Sequence, residues 1–276
     1  MLSHVTFTGW DRHTDLTELQ TWLEDCPQAT VEIAVLYSSR QDDDDRYPEW
    51  GQAIEILTTA KAAGQRTAVH ICGRAARELV SSADTTGLDT DGVVVPVVLP
   101  FEAAGIVHLA DRVQVNVFED TWQTGEEKYR RAFVLAQAFQ KSVIVQSRER
   151  RAWPSVAHLG PGAERMVSFL FDRSGGRGES LLVQSQGDPS SYPTPVPHRF
   201  VGYAGGLGPD NIAAFMPRIY APGKPERYWI DMETGIRESF STPKRRPDDP
   251  PPATYVSLVK CQRVMSAVGP WLEGRR

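Results

Sequence analysis

The sequence predicts a single α/β domain of the (β/α)8 (TIM) barrel class, and three observations predict it. Short apolar runs recur from one end to the other, most are trailed by a stretch with apolar residues at three- and four-residue spacing, and the runs number eight. Repeated strand–helix units imply a parallel sheet, because a parallel crossover needs a helix-length connection, and eight such units suit a closed barrel. An open doubly wound sheet is the competitor, but it carries a glycine-rich turn after its first strand. Thr8-Gly-Trp-Asp11 lacks that turn. The 276 residues are therefore read as one barrel over 1–276, with extended loops near 84–100, 184–198 and 239–253.

Taken in order, strand one is Val5–Thr8, followed by a helical Asp15–Leu23. Strand two is Val31–Tyr37, with Trp50–Leu57 behind it. Strand three is Thr67–Cys72, with Ala75–Val80 behind it. Strand four is Val113–Val117, followed by Glu127–Phe139. Val143–Gln146, Val167–Asp172, Phe200–Tyr203 and Tyr228–Asp231 complete the set. A short helix is possible in Ala152–Leu159. Gly92–Leu99 reads as an extra strand that Pro96 demotes to an edge or loop. The acidic run Asp42–Asp45, continuing to Pro48, reads as a solvated loop. Gln184–His198 is rich in Ser, Pro, Gln and Gly and reads as a loop. Pro243–Pro252 cannot be helical and leads to a closing helix near Tyr255–Val268.

Composition narrows the function. A net charge of −5 makes nucleic acid a poor partner, because an acidic chain repels phosphate backbones. Three scattered cysteines, Cys26, Cys72 and Cys261, suit neither a disulfide framework nor a zinc site. No cationic start leads into an apolar core, and no apolar run reaches the ~20 residues of a membrane helix. The expectation is a cytoplasmic protein with no membrane partner.

The last third is the most informative. Phe200–Tyr203 runs into Ala204-Gly-Gly-Leu207 and a helix beginning near Pro209, so Gly205 and Gly206 would let backbone N–H groups approach an anion. The next strand ends in a turn containing Thr234 and Gly235. In barrels the loops after strands seven and eight frequently build a phosphate site together. The same glycines also serve simple tight turns.

These segments resemble phosphoribosylanthranilate isomerase, a family of the ribulose-phosphate-binding barrels. Its strand six ends in an aspartate followed by a Gly-Gly-x-Gly loop, which Phe169–Gly178 is similar to. Strand seven ends in Ala-Gly-Gly-Leu, matched by Ala204–Leu207, with Asn211 at the place of a helix-start asparagine. Strand eight ends in an aspartate, and Asp231–Ile236 is similar but has Glu233-Thr234 where the family has two serines. Tyr37–Arg40 resembles a serine–proline–arginine turn whose arginine holds the substrate, and Arg112–Asn116 resembles the fourth strand. The resemblance implies Asp172 as general acid, Arg40 as a substrate contact, and a phosphate held by Gly176, Gly178, Gly205, Gly206, Thr234 and Gly235. It implies no cofactor and no metal.

The family's base is a cysteine at the end of strand one, where this chain has Thr8. A hydroxyl is too weakly acidic for that work, whereas a thiol of pKa about 8.5 can be tuned down. Cys72 ends strand three with His70 two residues earlier, so both share one face, and a thiol beside an imidazole can ionise. The pair reads equally as a small buried thiol and a core histidine. Asp11 either projects into the mouth or caps the helix that begins near Thr14. Glu233, beside the phosphate site, calls for a ribose hydroxyl, a base or Arg237 as partner. Asp231 reads as a structural or substrate-ring partner. Gln114 and Asn116 alternate correctly to face the interior, as substrate contacts or as a polar core layer. The functional expectation is acid–base, aldose–ketose isomerisation of a phosphorylated ribose-derived molecule by a monomer or homodimer. The alternative is an inactive barrel that binds a phosphosugar or nucleotide.

Overall fold

Eight parallel strands pair in sequence order and close on themselves in the computed structural model, which describes residues 1–38, 46–83, 101–116, 125–147, 162–172, 200–219, 227–240 and 254–272. They are β1 (Leu2–Thr8), β2 (Val31–Tyr37), β3 (Arg66–Ile71), β4 (Arg112–Val115), β5 (Ser142–Ser147), β6 (Val167–Asp172), β7 (Val201–Ala204) and β8 (Tyr228–Met232). The closing seam pairs β1 with β8, for example Val5 with Ile230. The described helices are α1 (Leu16–Asp25), α2 (Trp50–Ala62), α3 (Gly73–Ser82), α4 (Phe101–Leu109), α5 (Gly125–Phe139), α6 (Ala163–Met166), α7 (Ile212–Ile219) and α8 (Leu258–Val268). The expected barrel is the barrel observed, and all eight strands lie where the apolar runs predict them.

Because strand side chains alternate, each strand serves two cores. Val5, Phe7, Ile33, Val35, Val69 and Phe169 pack with helical residues such as Leu19, Trp22 and Ile56 in one large apolar cluster. The Phe7 and Trp22 rings meet edge to face at 5.6 Å. The intervening residues fill the barrel. At the N-terminal end lies a polar group of His4, Glu32 and Arg112. Above it Ile144, Leu170, Ala204 and Trp229 form a small apolar layer. Gly202 makes that layer possible, since a Cβ there would drive into the Trp229 indole and Leu170.

Several local expectations are corrected. Asp15, not Asp11, caps α1, accepting from the N–H groups of Thr17 and Glu18. The closing helix starts at Leu258 rather than near Tyr255. Thr254–Val256 instead forms β10, which pairs antiparallel with β9 (Arg237–Ser239). The helix after β7 begins at Ile212, three residues beyond Pro209. α4 was not legible as a helix, being apolar almost all round. Gly92–Leu99, Asp42–Asp45, Ala152–Leu159, Gln184–His198 and Pro243–Pro252 lie outside the described residues.

Candidate active site

All eight strands run the same way, so their C-terminal ends share one mouth. Thr8, Cys72, Asn116, Gln146, Asp172, Asp231 and Glu233 gather there from six different strands or the residues just beyond them.

Thr8, the last residue of β1, donates from Oγ1 to Asp231 Oδ1 at 2.6 Å. Burial pushes the Asp231 carboxyl up to about 8, reinforced by the charges of Glu233, Glu32 and Asp172, while the Thr8 hydrogen bond opposes the rise. Glu233, two residues on, also lies above the ordinary carboxylate range because of burial, although Arg46 opposes the shift from 2.9 Å. Asp172 is buried at the end of β6, and its Oδ2 accepts from Gln146 Nε2 at 2.6 Å.

On the opposite side a polar ladder climbs β3 and β4. Gln114 Nε2 donates to Asn116 Oδ1 at 2.8 Å, and Asn116 Nδ2 donates to Cys72 Sγ at 3.3 Å. The Cys72 thiol donates back to the His70 carbonyl at 3.5 Å. Burial, with the Glu233 charge, pushes this thiol up to about 12, the opposite direction from what a thiolate base requires. Burial also lowers His70 to about 3, so its ring stays neutral across the physiological range. His70 and Gln114 are register partners on β3 and β4. Among the described residues, His70 Nε2 and Gln114 Oε1 have no hydrogen-bond partner.

The two glycine loops do come together. Gly205 and Gly206 leave β7 with φ of 113° and 59°, a region that favours glycine. Asn211 clamps the turn, donating to Gly206 O at 2.7 Å and accepting from Gly208 N at 2.9 Å. The β8 turn, Thr234–Ile236, presses backbone to backbone on it. A Cβ at Gly235 would collide with the Leu207 carbonyl.

Asp11 is engaged elsewhere. Its Oδ2 accepts from Arg237 Nη2 at 2.6 Å, in a buried ion pair that ties the segment after β1 to β9. Glu233 correspondingly pairs with Arg46 rather than with Arg237. Arg40, Gly176 and Gly178 lie outside the described residues. Sequence reasoning did not single out Gln146 or Arg46. Gln146 had a readable signal, since it ends the apolar run Val143–Gln146 as Asp172 ends its own. Arg46 lay hidden in a charge run that reads as solvated loop. Among the described residues no group of His, Cys, Asp and Glu is arranged to hold a metal ion, and no helix is long and apolar enough to cross a membrane.

No protein-family model matches the chain, and no curated protein matches it. Solved structures with a similar trace include a GH113 beta-1,4-mannanase, 9% identical over 96% of this chain and 98% of that one, with a TM-score of 0.42. A sugar phosphate isomerase/epimerase from Parabacteroides distasonis is 7% identical over 84% and 89%, with a TM-score of 0.39. Old Yellow Enzyme from Pichia sp. is 12% identical over 84% and 78%, with a TM-score of 0.34. At such identities and scores these likenesses carry no functional meaning for this chain.

Proposed function

We propose that the chain is a phosphoribosylanthranilate isomerase-like enzyme that isomerises a phosphorylated, ribose-derived small molecule by acid–base chemistry at the C-terminal mouth. The observation that carries this reading is the backbone contact between the β7 and β8 loops, with β6 and β8, the strands flanking β7, both bearing a buried carboxylate at their C-terminal ends. Barrels use that loop pair to hold phosphate, and carboxyls at strand ends supply proton transfer.

In this reading Gly176, Gly178, Gly205, Gly206, Thr234 and Gly235 cradle the phosphate. Asp172 protonates the ring oxygen as the sugar opens, with Gln146 orienting its carboxyl. Arg40, Gln114, Asn116 and Glu233 contact the remainder of the molecule. Asp11 drops out of the contact set because Arg237 engages it, and Cys72 drops out as base because its thiol is pushed up. The reading needs no cofactor. The absence of a cysteine at Thr8 favours a second reading, a barrel that binds such a ligand without converting it.

Calorimetric titration with inorganic phosphate and ribose 5-phosphate tests the cradle. Gly206→Val forces a branched side chain into a left-handed backbone and is expected to weaken both ligands at least tenfold while circular dichroism stays unchanged. Thr234→Val, away from that backbone strain, is expected to weaken them less. No binding by the wild type, or equal binding by all three proteins, overturns the reading. Conversion of ribose 5-phosphate, or of a ligand retained through native mass spectrometry, separates the enzyme from the binder.

A further inference from the structure

We propose that Asp231 is the residue that takes the substrate's carbon-bound proton, and that Thr8 acts through it as a positioning residue. This rests on the phosphosugar reading above and adds to it the base that neither strand one nor Cys72 supplies.

The geometry starts at the closing seam of the barrel. Thr8 and Asp231 lie at the C-terminal ends of adjacent strands, face inward and meet at 2.6 Å, and among the described residues this is the only hydrogen bond to the Asp231 carboxylate. The nearby guanidinium groups are committed to other carboxylates. Arg46 pairs with Glu233, Arg237 with Asp11, and Arg112 with Glu32. The charges that act on Asp231 are therefore of like sign: Glu233 just past the end of its own strand, Asp172 from β6 and, from the layer below, Glu32 of β2. Burial and these neighbours raise its proton affinity toward neutrality, where a general base works best.

The orphaned atoms across the barrel are an independent sign that a polar molecule belongs inside it. His70 Nε2 and Gln114 Oε1 are buried on β3 and β4 without partners. An unsatisfied buried polar group is costly, so such groups persist where a ligand or water completes them. His70 itself is too weakly basic to compete for a proton.

The step balances without a further reactant. The Asp231 carboxylate accepts the proton from C2 of the opened sugar, and the C–H electron pair becomes the C1–C2 double bond. The π pair of the C1 carbonyl or imine moves onto its oxygen or nitrogen. Asp231 then returns the proton to C1 as the C2 hydroxyl proton passes to the C1 oxygen or nitrogen, leaving the ketone and a regenerated carboxylate.

Carbon-13 NMR of the aspartate side chains in the full chain tests the titration. A carboxyl absent from Asp231→Asn is expected to titrate near 8, to move upward in Thr8→Val, and to return in Thr8→Ser. A midpoint near 4 overturns the assignment. In D2O, loss of the C2 proton of ribose 5-phosphate is expected to rise with pH through the same midpoint. It is expected to fall about 10²–10⁴-fold in Asp231→Asn while calorimetric binding persists. Undiminished exchange in Asp231→Asn overturns the assignment, as does wild-type binding without exchange, which leaves the ligand reading intact. A carboxyl titrating near 8 in a protein that binds no ribose 5-phosphate overturns the phosphosugar reading and the C2 step with it.

Discussion

Arg112 on β4 reaches past β3 to grip both carboxylate oxygens of Glu32 on β2, with Nε at 2.8 Å and Nη2 at 2.5 Å. Thr6 donates a third hydrogen bond to Glu32 at 2.8 Å, His4 Nε2 lies 2.9 Å from Nη2, and the guanidinium carbon sits 4.3 Å from the centre of the Trp229 ring. This group plugs the N-terminal end of the barrel, opposite the mouth. Conserving the pair matters to the fold, because removing one partner of a buried ion pair costs about 3–5 kcal/mol while the other charge stays buried. Glu32→Ala is expected to lose that much in urea unfolding. The double substitution Glu32→Leu with Arg112→Met should recover much of the loss, and equal losses for the single and double variants would show that charge pairing is not the cause.

Acid should destabilise the protein in two stages. His70 stays neutral in the folded chain down to about 3, whereas the unfolded chain protonates it near 6.5. Buried His4 is likewise held well below 6.5. At these two sites the unfolded state therefore binds more protons, and their contribution to stability falls as pH drops below about 6.5. Glu32 adds a second loss: Arg112, His4 and Thr6 outweigh burial and leave it near 2, so its contribution disappears as pH falls from about 4.5 toward 2. Because Asp231, Glu233 and Asp11 titrate in the opposite sense, the histidine contribution is read as a difference: the wild type should lose urea midpoint relative to His70→Asn as pH falls from about 7 to about 4. A difference between the two proteins that stays constant with pH would contradict a buried neutral His70.

Asp231 has the opposite sign. Its folded carboxyl holds its proton up to about 8, against 3.8 unfolded, so it costs stability as pH rises through that interval. Asp231→Asn keeps an acceptor for Thr8 and is expected to raise the thermal midpoint at about pH 8 more than at about pH 4. Each unit of such a shift corresponds to about 1.4 kcal/mol, and a stabilised variant that has lost proton exchange is the signature of a strained functional carboxyl. An equal effect at both pH values would remove the charge explanation.

Asp172→Asn should separate binding from turnover. The amide retains the shape and still accepts from Gln146, so affinity for ribose 5-phosphate is expected within a few-fold of wild type. Loss of a positioned acid should slow conversion about 10²–10⁴-fold, followed by mass spectrometry. Comparable rates in the two proteins would remove Asp172 from the proton-transfer pathway.

Local pattern determined the barrel. Runs such as Val31–Tyr37 and Val143–Gln146, with amphipathic stretches such as Trp50–Leu57, give strands, helices and their alternation, because the periods of two and 3.6 are properties of neighbouring residues. The weak spots of that reading have local causes too. Three-residue strands such as β9 and β10 carry no period, and α4 is too uniformly apolar to show a face. Alternation also put Gln114 and Asn116 on inward positions, while Thr8, Asp172 and Asp231 were singled out by the resemblance of their strand ends. What each does there was decided only by closure of the barrel. The Thr8–Asp231 contact joins residues 223 positions apart, and Arg46 meets Glu233 across 187. Cys72 had the right residue type and strand end for a base, yet burial and the charge of Glu233 hold its proton on. Asp231 read as a structural or ring partner, yet its cations are taken by Glu233 and Asp11 while three carboxylates face it. Desolvation and charge–charge energies depend on distance through space and on what excludes water, and neither quantity is written along the chain.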